Sequence, residues 1–556
     1  MATLIKRKML TCFELHHFQK LSNQENQIIT IGSLSYHTPC PSLTPGSSSL
    51  MVSDKLSQCS FWGRTEINRS AQMVPEFDNE LIIAIGVLIT VIIAGVFCYF
   101  QSFKVGSVPF ANLSMLETID TVTSYDSPLR IHNLSFESGS TFRLLLPQLA
   151  PVIVCTEWKV AKEIYKDDLS DKPDFYKVFD LGTGCPVLVS KKTSSPGPSG
   201  WAMERKAFAG YFVKSKYDVD VLHKRLAELD EILNISEESQ DGEVDATELM
   251  VRLMIDVFGE SALGIDMKGL SGAPSGEVSL GRIFLEEVRV VHKEMIMRQS
   301  TQPWRRYMGS FLPDVKHAIA ARERLIAVGE AIVENGRMRE AEPGFTPSHL
   351  LSKLLNYPFP EERYRPLEAI LFLTGGYDTT GYTLAWTLFE LARNPEEQSA
   401  LALELTQEEH PSRLERVVNE AMRLWPVASG GGLRTASKDF TTKDFYTIKK
   451  GSKVSFNQYS MHRQPWIRNA NKFIPDRWRN EDPQVDELRK SFMPFGFGRR
   501  NCIGQTHALL SIKFSTAHLV REYEWSVVQE PKPMFFLTLK PEGLRLKVKS
   551  RSSRNC

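Results

Sequence analysis

Leu81 to Phe100, LIIAIGVLITVIIAGVFCYF, runs for twenty residues without a charged side chain. At about 1.5 Å per residue such a helix spans a hydrocarbon core of about 30 Å, so the run predicts a single transmembrane helix. The plainer alternative, a buried soluble helix, seldom goes so many turns without a polar residue. The nearest flanking cations, Arg64 and Arg69 before the run and Lys104 after it, are too few to orient it. Residues 1–80 are rich in Ser, Asn and Thr, lack a hydrophobic period and predict a poorly ordered extension. Its first thirteen residues, MATLIKRKMLTCF, are basic and free of acids, as in an organellar targeting peptide, whereas Glu14 and the acids after it point the other way. Met73 is an alternative start, which would leave only a short luminal stub before the span. Asn68-Arg-Ser70 is a glycosylation acceptor if that side is luminal.

The remaining chain is long enough to bury a cofactor and a substrate together. A formal net charge of +1 gives no electrostatic reason to expect nucleic acid or a polyanionic substrate. The eight cysteines, at 12, 40, 59, 98, 155, 185, 502 and 556, form no C-x-x-C pair and no regular spacing, which excludes a zinc site and a disulfide framework. Residues 105–550 read as one mostly helical domain with small sheets, an α+β class. Strands are expected near 149–156, 453–457 and 543–548, and the Ser/Pro/Gly run 193–200 is a loop.

From Pro366 to Leu391 apolar residues recur at helical spacing, and Asn394-Pro395 stops the run. In the middle stands Gly375-Gly376-Tyr377-Asp378-Thr379-Thr380, where each glycine costs a helix up to about 1 kcal/mol relative to alanine. Two arrangements offset that cost. One is a close helix crossing; the other is a flat ligand lying on bare backbone, with Asp378 and Thr379 as a proton-relay pair.

A second segment bears on that choice. Phe492-Met-Pro-Phe-Gly-Phe-Gly-Arg-Arg-Asn-Cys502-Ile-Gly504 precedes an apolar-periodic helix expected over 505–520. Gly496, Gly498 and Gly504 allow a tight turn whose amides converge, and the helix aims the positive end of its dipole at the same point, so Cys502 is expected as a thiolate. Thiolate is the axial ligand that favours O–O cleavage at haem iron. Phe495 is placed to shield the sulfur and Arg500 to pair with a propionate.

FGFGRRNCIG resembles the haem-binding loop of the cytochrome P-450 superfamily, and GGYDTT resembles its oxygen-binding helix motif. The two stand in the expected order, and the similarity extends over about 105–550. By that resemblance Cys502 is the metal ligand of haem b. Gly375, Gly376, Phe495 and Gly504 flank the cofactor, while Trp201, Arg205, Arg434 and Arg500 reach its propionates. In VVNEAMRLWP, Ser412 and Glu415 are spaced as a capping box, and Glu420 and Arg423 lie three apart on one helix face. The resemblance adds Arg477, from Phe473-Ile-Pro-Asp-Arg-Trp478, to form a buried structural network.

The resemblance implies a monooxygenase that inserts one oxygen atom into a lipophilic substrate. No flavin or nicotinamide fingerprint is present, so electrons come from a separate NADPH-dependent flavoprotein reductase or another electron donor. The implied location is a membrane, with the catalytic domain on the cytosolic side of the endoplasmic reticulum. Phe372, Leu373, Tyr377, Val427, Phe535 and Phe536 are candidate pocket residues. The alternatives are an enzyme of the same fold that rearranges or dehydrates peroxides, and a haem-free membrane binding protein. Two departures stand out: QSFKVGSVPF holds only Gly106 and Pro109 where a Pro/Gly hinge is common, and the stretch from Glu390 to Arg423 is short.

Overall fold

The structure is a computed structural model, whose contacts divide the chain into Met1–Ile83 and Ala84–Cys556. It describes residues 107–551, apart from short stretches at 145–150, 167–170, 198–199, 240, 272–277, 301, 310, 343–349, 409–410, 431 and 443–445. The expected extension over 1–80 and the expected span over 81–100 lie outside the described residues. Among the described residues no helix is long and apolar enough to cross a membrane.

Helices dominate, as the sequence predicts. In chain order they are α1 (Met115–Thr123), α2 (Ser127–Ser138), α3 (Trp158–Lys166), α4 (Trp201–Ala209), α5 (Val219–Ser239), α6 (Ala246–Leu263), α7 (Leu280–Ser300) and α8 (Pro313–Glu340). There follow α9 (Leu350–Leu355), α10 (Tyr364–Arg393), α11 (Pro395–Gln407), α12 (Ser412–Leu424), α13 (Gln458–Met461), α14 (Val485–Ser491) and α15 (Gln505–Glu522). The strands are β1 (Thr141–Leu144), β2 (Val152–Cys155), β3 (Glu243–Asp245), β4 (Arg434–Thr435), β5 (Phe440–Thr441), β6 (Thr447–Ile448) and β7 (Lys453–Phe456), then β8 (Tyr523–Gln529), β9 (Lys532–Phe535), β10 (Leu539–Glu542) and β11 (Arg545–Ser550). One sheet has the order β1-β2-β7-β4, with β2 and β7 parallel and the other pairs antiparallel. A second sheet, β3-β11-β8, is antiparallel, and β9 pairs with β10.

The axis of the fold is α10. It is apolar on nearly every side, which a helix tolerates only when it is surrounded. Its neighbours are α6, α8 and α15. Small residues set the close approaches: a Cβ at Gly381 would lie 2.9 Å from the Val251 backbone of α6, and one at Gly329 of α8 would strike the Pro366 carbonyl and Ile370. Trp386 of α10 stacks on Trp425 at 4.0 Å between ring centroids, which ties α10 to the segment after α12. Thr379, Thr383 and Thr387 each donate a hydroxyl to the carbonyl four residues earlier, at 3.0, 2.7 and 2.7 Å.

The capping box expected at α12 does not form. Pro411 is the cap residue and no side chain bonds the first turn; instead Ser412 accepts from Arg416 and Glu415 pairs with Lys513. Farther along, the expected network is complete. Arg423 grips Glu420 with two bonds of 2.8 and 2.9 Å, and Arg477 and Trp478 each donate to the same carboxylate at 2.9 Å. The remaining guanidinium hydrogens go to backbone carbonyls of His462, Ala470, Arg468 and Asn469. Burial pushes the Glu420 carboxyl up, but Arg423, Arg477 and the Ile474 amide outweigh it and hold the group below its ordinary value. Removing one member leaves the others charged and dry. Glu420→Ala is therefore expected to destabilise the protein by about 3–5 kcal/mol, measured as a lowered urea midpoint.

Candidate active site

α10, α15, the loop before α15 and the segment after α12 enclose a cavity of about 390 Å³. Cys502 stands in its wall. Gly496 and Gly498, at φ +72° and +74°, make the turn that a side chain would strain, and a Cβ at Gly498 would run into the Tyr165 carbonyl. The Cys502 amide donates to the Phe495 carbonyl at 2.9 Å, and Gly504 caps α15. The sulfur is exposed to this cavity. Burial pushes the Cys502 thiol up. The Gly504 amide and the charges of Arg205 and Lys172 pull it down and are outweighed. Burial is the largest influence on the thiol, ahead of the amide that the sequence points to and the nearby cations.

Cations gather elsewhere in the wall. Arg205 and Trp201 come from α4, Arg434 from β4, Arg500 from the cysteine loop and Lys172 from the segment before Phe175. Among the described residues, no Asp or Glu lines the cavity. Arg500 lies over the Trp201 ring at 4.4 Å and donates one nitrogen to the Val189 and Lys191 carbonyls, while its buried Nη1 has no partner. Burial, reinforced by Arg434, pushes Arg500 down to about 10. Burial and the charges of Arg434, Arg500 and Arg205 push Lys172 well below its ordinary value. Arg205 bonds Asn501 at 2.7 Å, and Arg434 sits over the Tyr165 ring at 5.0 Å. Gly432 gives the tyrosine room: a Cβ there would lie 2.7 Å from its hydroxyl and 2.9 Å from Arg434.

The two central glycines of α10 divide the roles offered for them. A Cβ at Gly375 would meet nothing within 4 Å, so that backbone lies bare to the cavity. A Cβ at Gly376 would strike the Phe258 ring of α6, so that glycine serves the helix crossing even though it also borders the cavity. Thr379 faces the cavity with its hydroxyl donated to Gly375. Asp378 is not in the wall: it accepts from Thr538 at 3.1 Å, on the turn between β9 and β10. Burial pushes it up to about 6, against the Thr538 and Thr379 hydrogen bonds and the Arg289 charge.

The profile of the Cytochrome P450 family matches residues 113–548. The chain belongs to the cytochrome P450 family. Among curated relatives, the mitochondrial 25-hydroxyvitamin D-1 alpha hydroxylase of Rattus norvegicus is 33% identical over 43% of this P450 and 50% of the relative. The putative cytochrome P450 CYP13A3 of Caenorhabditis elegans is 32% identical over 34% of this P450 and 39% of the relative. The chain thus spans about half or less of the curated relatives it matches. A solved cytochrome P450, CYP102L1, superposes with a TM-score of 0.65 at 21% identity, over 76% of this chain and 98% of that one, which shows the shared fold. The expected placement in the endoplasmic reticulum has no counterpart in these findings.

The family implies a haem-thiolate cofactor, and the residues present fit one. A thiol and a bare backbone strip border the same cavity, and four cations, one with an unpartnered buried nitrogen, stand in a wall whose described residues include no carboxylate. Lys172, Tyr165 and Tyr176 line this P450's cavity although no sequence motif marks them. Of the pocket residues expected from sequence, Phe372 and Val427 line the cavity. Leu373 and Tyr377 are buried in the core instead, Tyr377 against Phe284, while Phe535 packs on Gly430 and Phe536 is exposed. The helix phase of α10 and the β9–β10 turn carry those four away from the wall. Gly375→Ala is expected to raise the thermal midpoint of the cofactor-free chain slightly, by up to about 1 kcal/mol of helix propensity. Gly376→Ala, which must displace Phe258, is expected to lower it by about 1–3 kcal/mol.

Proposed function

We propose that the protein is a haem b monooxygenase that inserts one atom of dioxygen into a lipophilic organic substrate. The observation that carries this reading is the cavity whose charged lining, among the described residues, is all positive, bounded by Cys502 and by the bare Gly375 strip with Thr379 beside it. Cys502 would ligate the iron, with Phe495 and Gly504 beside it. Trp201, Arg205, Arg434 and Arg500, with Lys172, would hold the propionates. When bound, the cofactor supplies the dioxygen activation and one-electron chemistry that no side chain can.

The protein's own part is to exclude water and to move protons. Asp378, with its carboxyl raised to about 6, is a proton reservoir near neutral pH, and Thr379 is the hydroxyl that reaches the cavity from the next position on α10. Electrons come from a separate donor protein. A polar groove of about 990 Å³ bordered by Pro494, Phe495 and Gly496 of the cysteine loop, with both arginines (Arg416, Arg479, Arg489) and glutamates (Glu404, Glu408, Glu415, Glu481) in its wall, would give such a partner access near Cys502. The catalytic domain occupies about 105–550. Attachment to a membrane rests on the 81–100 run, and the basic, acid-free first thirteen residues, together with relatives named as mitochondrial, favour an organellar membrane.

A carbon-monoxide difference spectrum of membranes carrying the chain tests the cofactor and its ligand together. The red-shifted band of thiolate ligation is expected for the parent and is lost in Cys502→His; a band that survives the substitution refutes the assignment. Thr379→Ala is expected to keep consuming electrons while product per electron falls by about tenfold or more, since acid–base contributions of this kind are worth about 10²–10⁴ in rate. Unchanged coupling, measured as product formed against reductant oxidised, refutes the relay.

A further inference from the structure

Behind the cavity wall lies a second cluster of charge. Glu204 of α4 and Glu368 of α10 are fully buried, and their carboxyl groups stand within hydrogen-bonding reach of each other. Lys191, itself 5% exposed, pairs with Glu204. Glu368 accepts the Leu188 amide at 2.7 Å. Each carboxyl has one oxygen left over, Oε1 of Glu204 and Oε2 of Glu368, buried and without a donor. Two acceptor oxygens cannot satisfy each other, and one lysine cannot neutralise two carboxylates in a dry interior. A single proton between them meets both requirements.

We infer that Glu204 and Glu368 share one proton and, with Lys191, form a latch that pins residues 187–191 to α4 and α10. The pinned segment positions two parts of the site. Leu188 and Val189 are cavity wall, and the Val189 and Lys191 carbonyls hold the Arg500 guanidinium. Glu204 also precedes Arg205 on the same turn of α4. The groups facing the pair are few: Lys191, whose ammonium lies 5.7 and 5.6 Å from the Phe359 and Tyr364 rings, the Tyr357 phenol, and Asp180, which feels Lys191. Neither unpaired oxygen accepts a hydrogen bond from any of them. Burial pushes Glu368 well above its ordinary value, and the neighbouring Glu204 adds to the rise.

The sign of the pH dependence follows. The folded state keeps a proton that the unfolded chain releases above the ordinary carboxyl value, so this contribution is fully present at lower pH and lost as pH rises. The test compares the full chain with Glu368→Gln and Glu204→Gln in urea titrations from about pH 5 to about pH 8. A glutamine at either position supplies the donor permanently. The folded-to-unfolded ratio of the variant relative to the parent is expected to climb by up to about tenfold per pH unit across that window, and groups titrating elsewhere cancel in the comparison. Glu368→Ala, which offers no donor and frees the Leu188 amide, is expected to be less stable than Glu368→Gln throughout. Parallel curves for the parent and whichever glutamine variant folds overturn the latch, as does equal stability of Glu368→Ala and Glu368→Gln. The positioning of Arg500 rests on the cofactor reading above, whereas the shared proton does not. A flattened slope in a chain that binds no haem would keep the latch and discard the monooxygenase.

Discussion

Four cations in the wall of one cavity, with no Asp or Glu among its described lining residues, are the constraint on which the site depends. Like charges in a poorly solvated space raise each other's free energy, and the protein spends hydrogen bonds from Asn501, Val189, Lys191 and Leu433 to hold three of them in place. A guest with two carboxylates would pair with these cations, which is the cofactor contact proposed above. Burial raises the thiol and, with the neighbouring cations, lowers Lys172 and Arg500.

α10 reconciles this cavity with a stable core. Buried along nearly its whole length, it still leaves a strip of backbone bare toward the cavity. Adjacent glycines achieve this because neighbouring residues on a helix point about 100° apart. Gly376 lets α6 approach through Phe258, and Gly375, one position earlier, looks into the cavity. Rigid packing on one face keeps the bare strip on the other at a fixed height.

Much of this was legible in the sequence where a motif is local. The cysteine turn, the long interrupted helix and the pair Glu420–Arg423 all lie within single short segments, and each took the form expected. What escaped depends on partners distant in the chain. Lys172 shares the cavity with Arg500, and Glu368 meets Glu204, across separations that no periodicity encodes. Ser412 and Glu415 had the spacing of a capping box, but Arg416 and Lys513 competed for their side chains and won. The expected pocket residues failed for a geometric reason: Leu373 and Tyr377 fall on the helix face opposite Gly375, and the β9–β10 turn keeps Phe535 and Phe536 outside.

The threonine staircase on α10 fixes the hydrogen-bonding character of the cavity ceiling. Because Thr379 gives its hydroxyl hydrogen to the Gly375 carbonyl, both partners are already engaged with each other, and the surface they turn toward a visitor consists of lone pairs. A molecule arriving there is met by acceptors. Water or any hydroxylated species settles by donating, and Thr379 can act as a donor in return only by swinging its hydrogen away from the helix, which leaves the carbonyl of Gly375 to the newcomer.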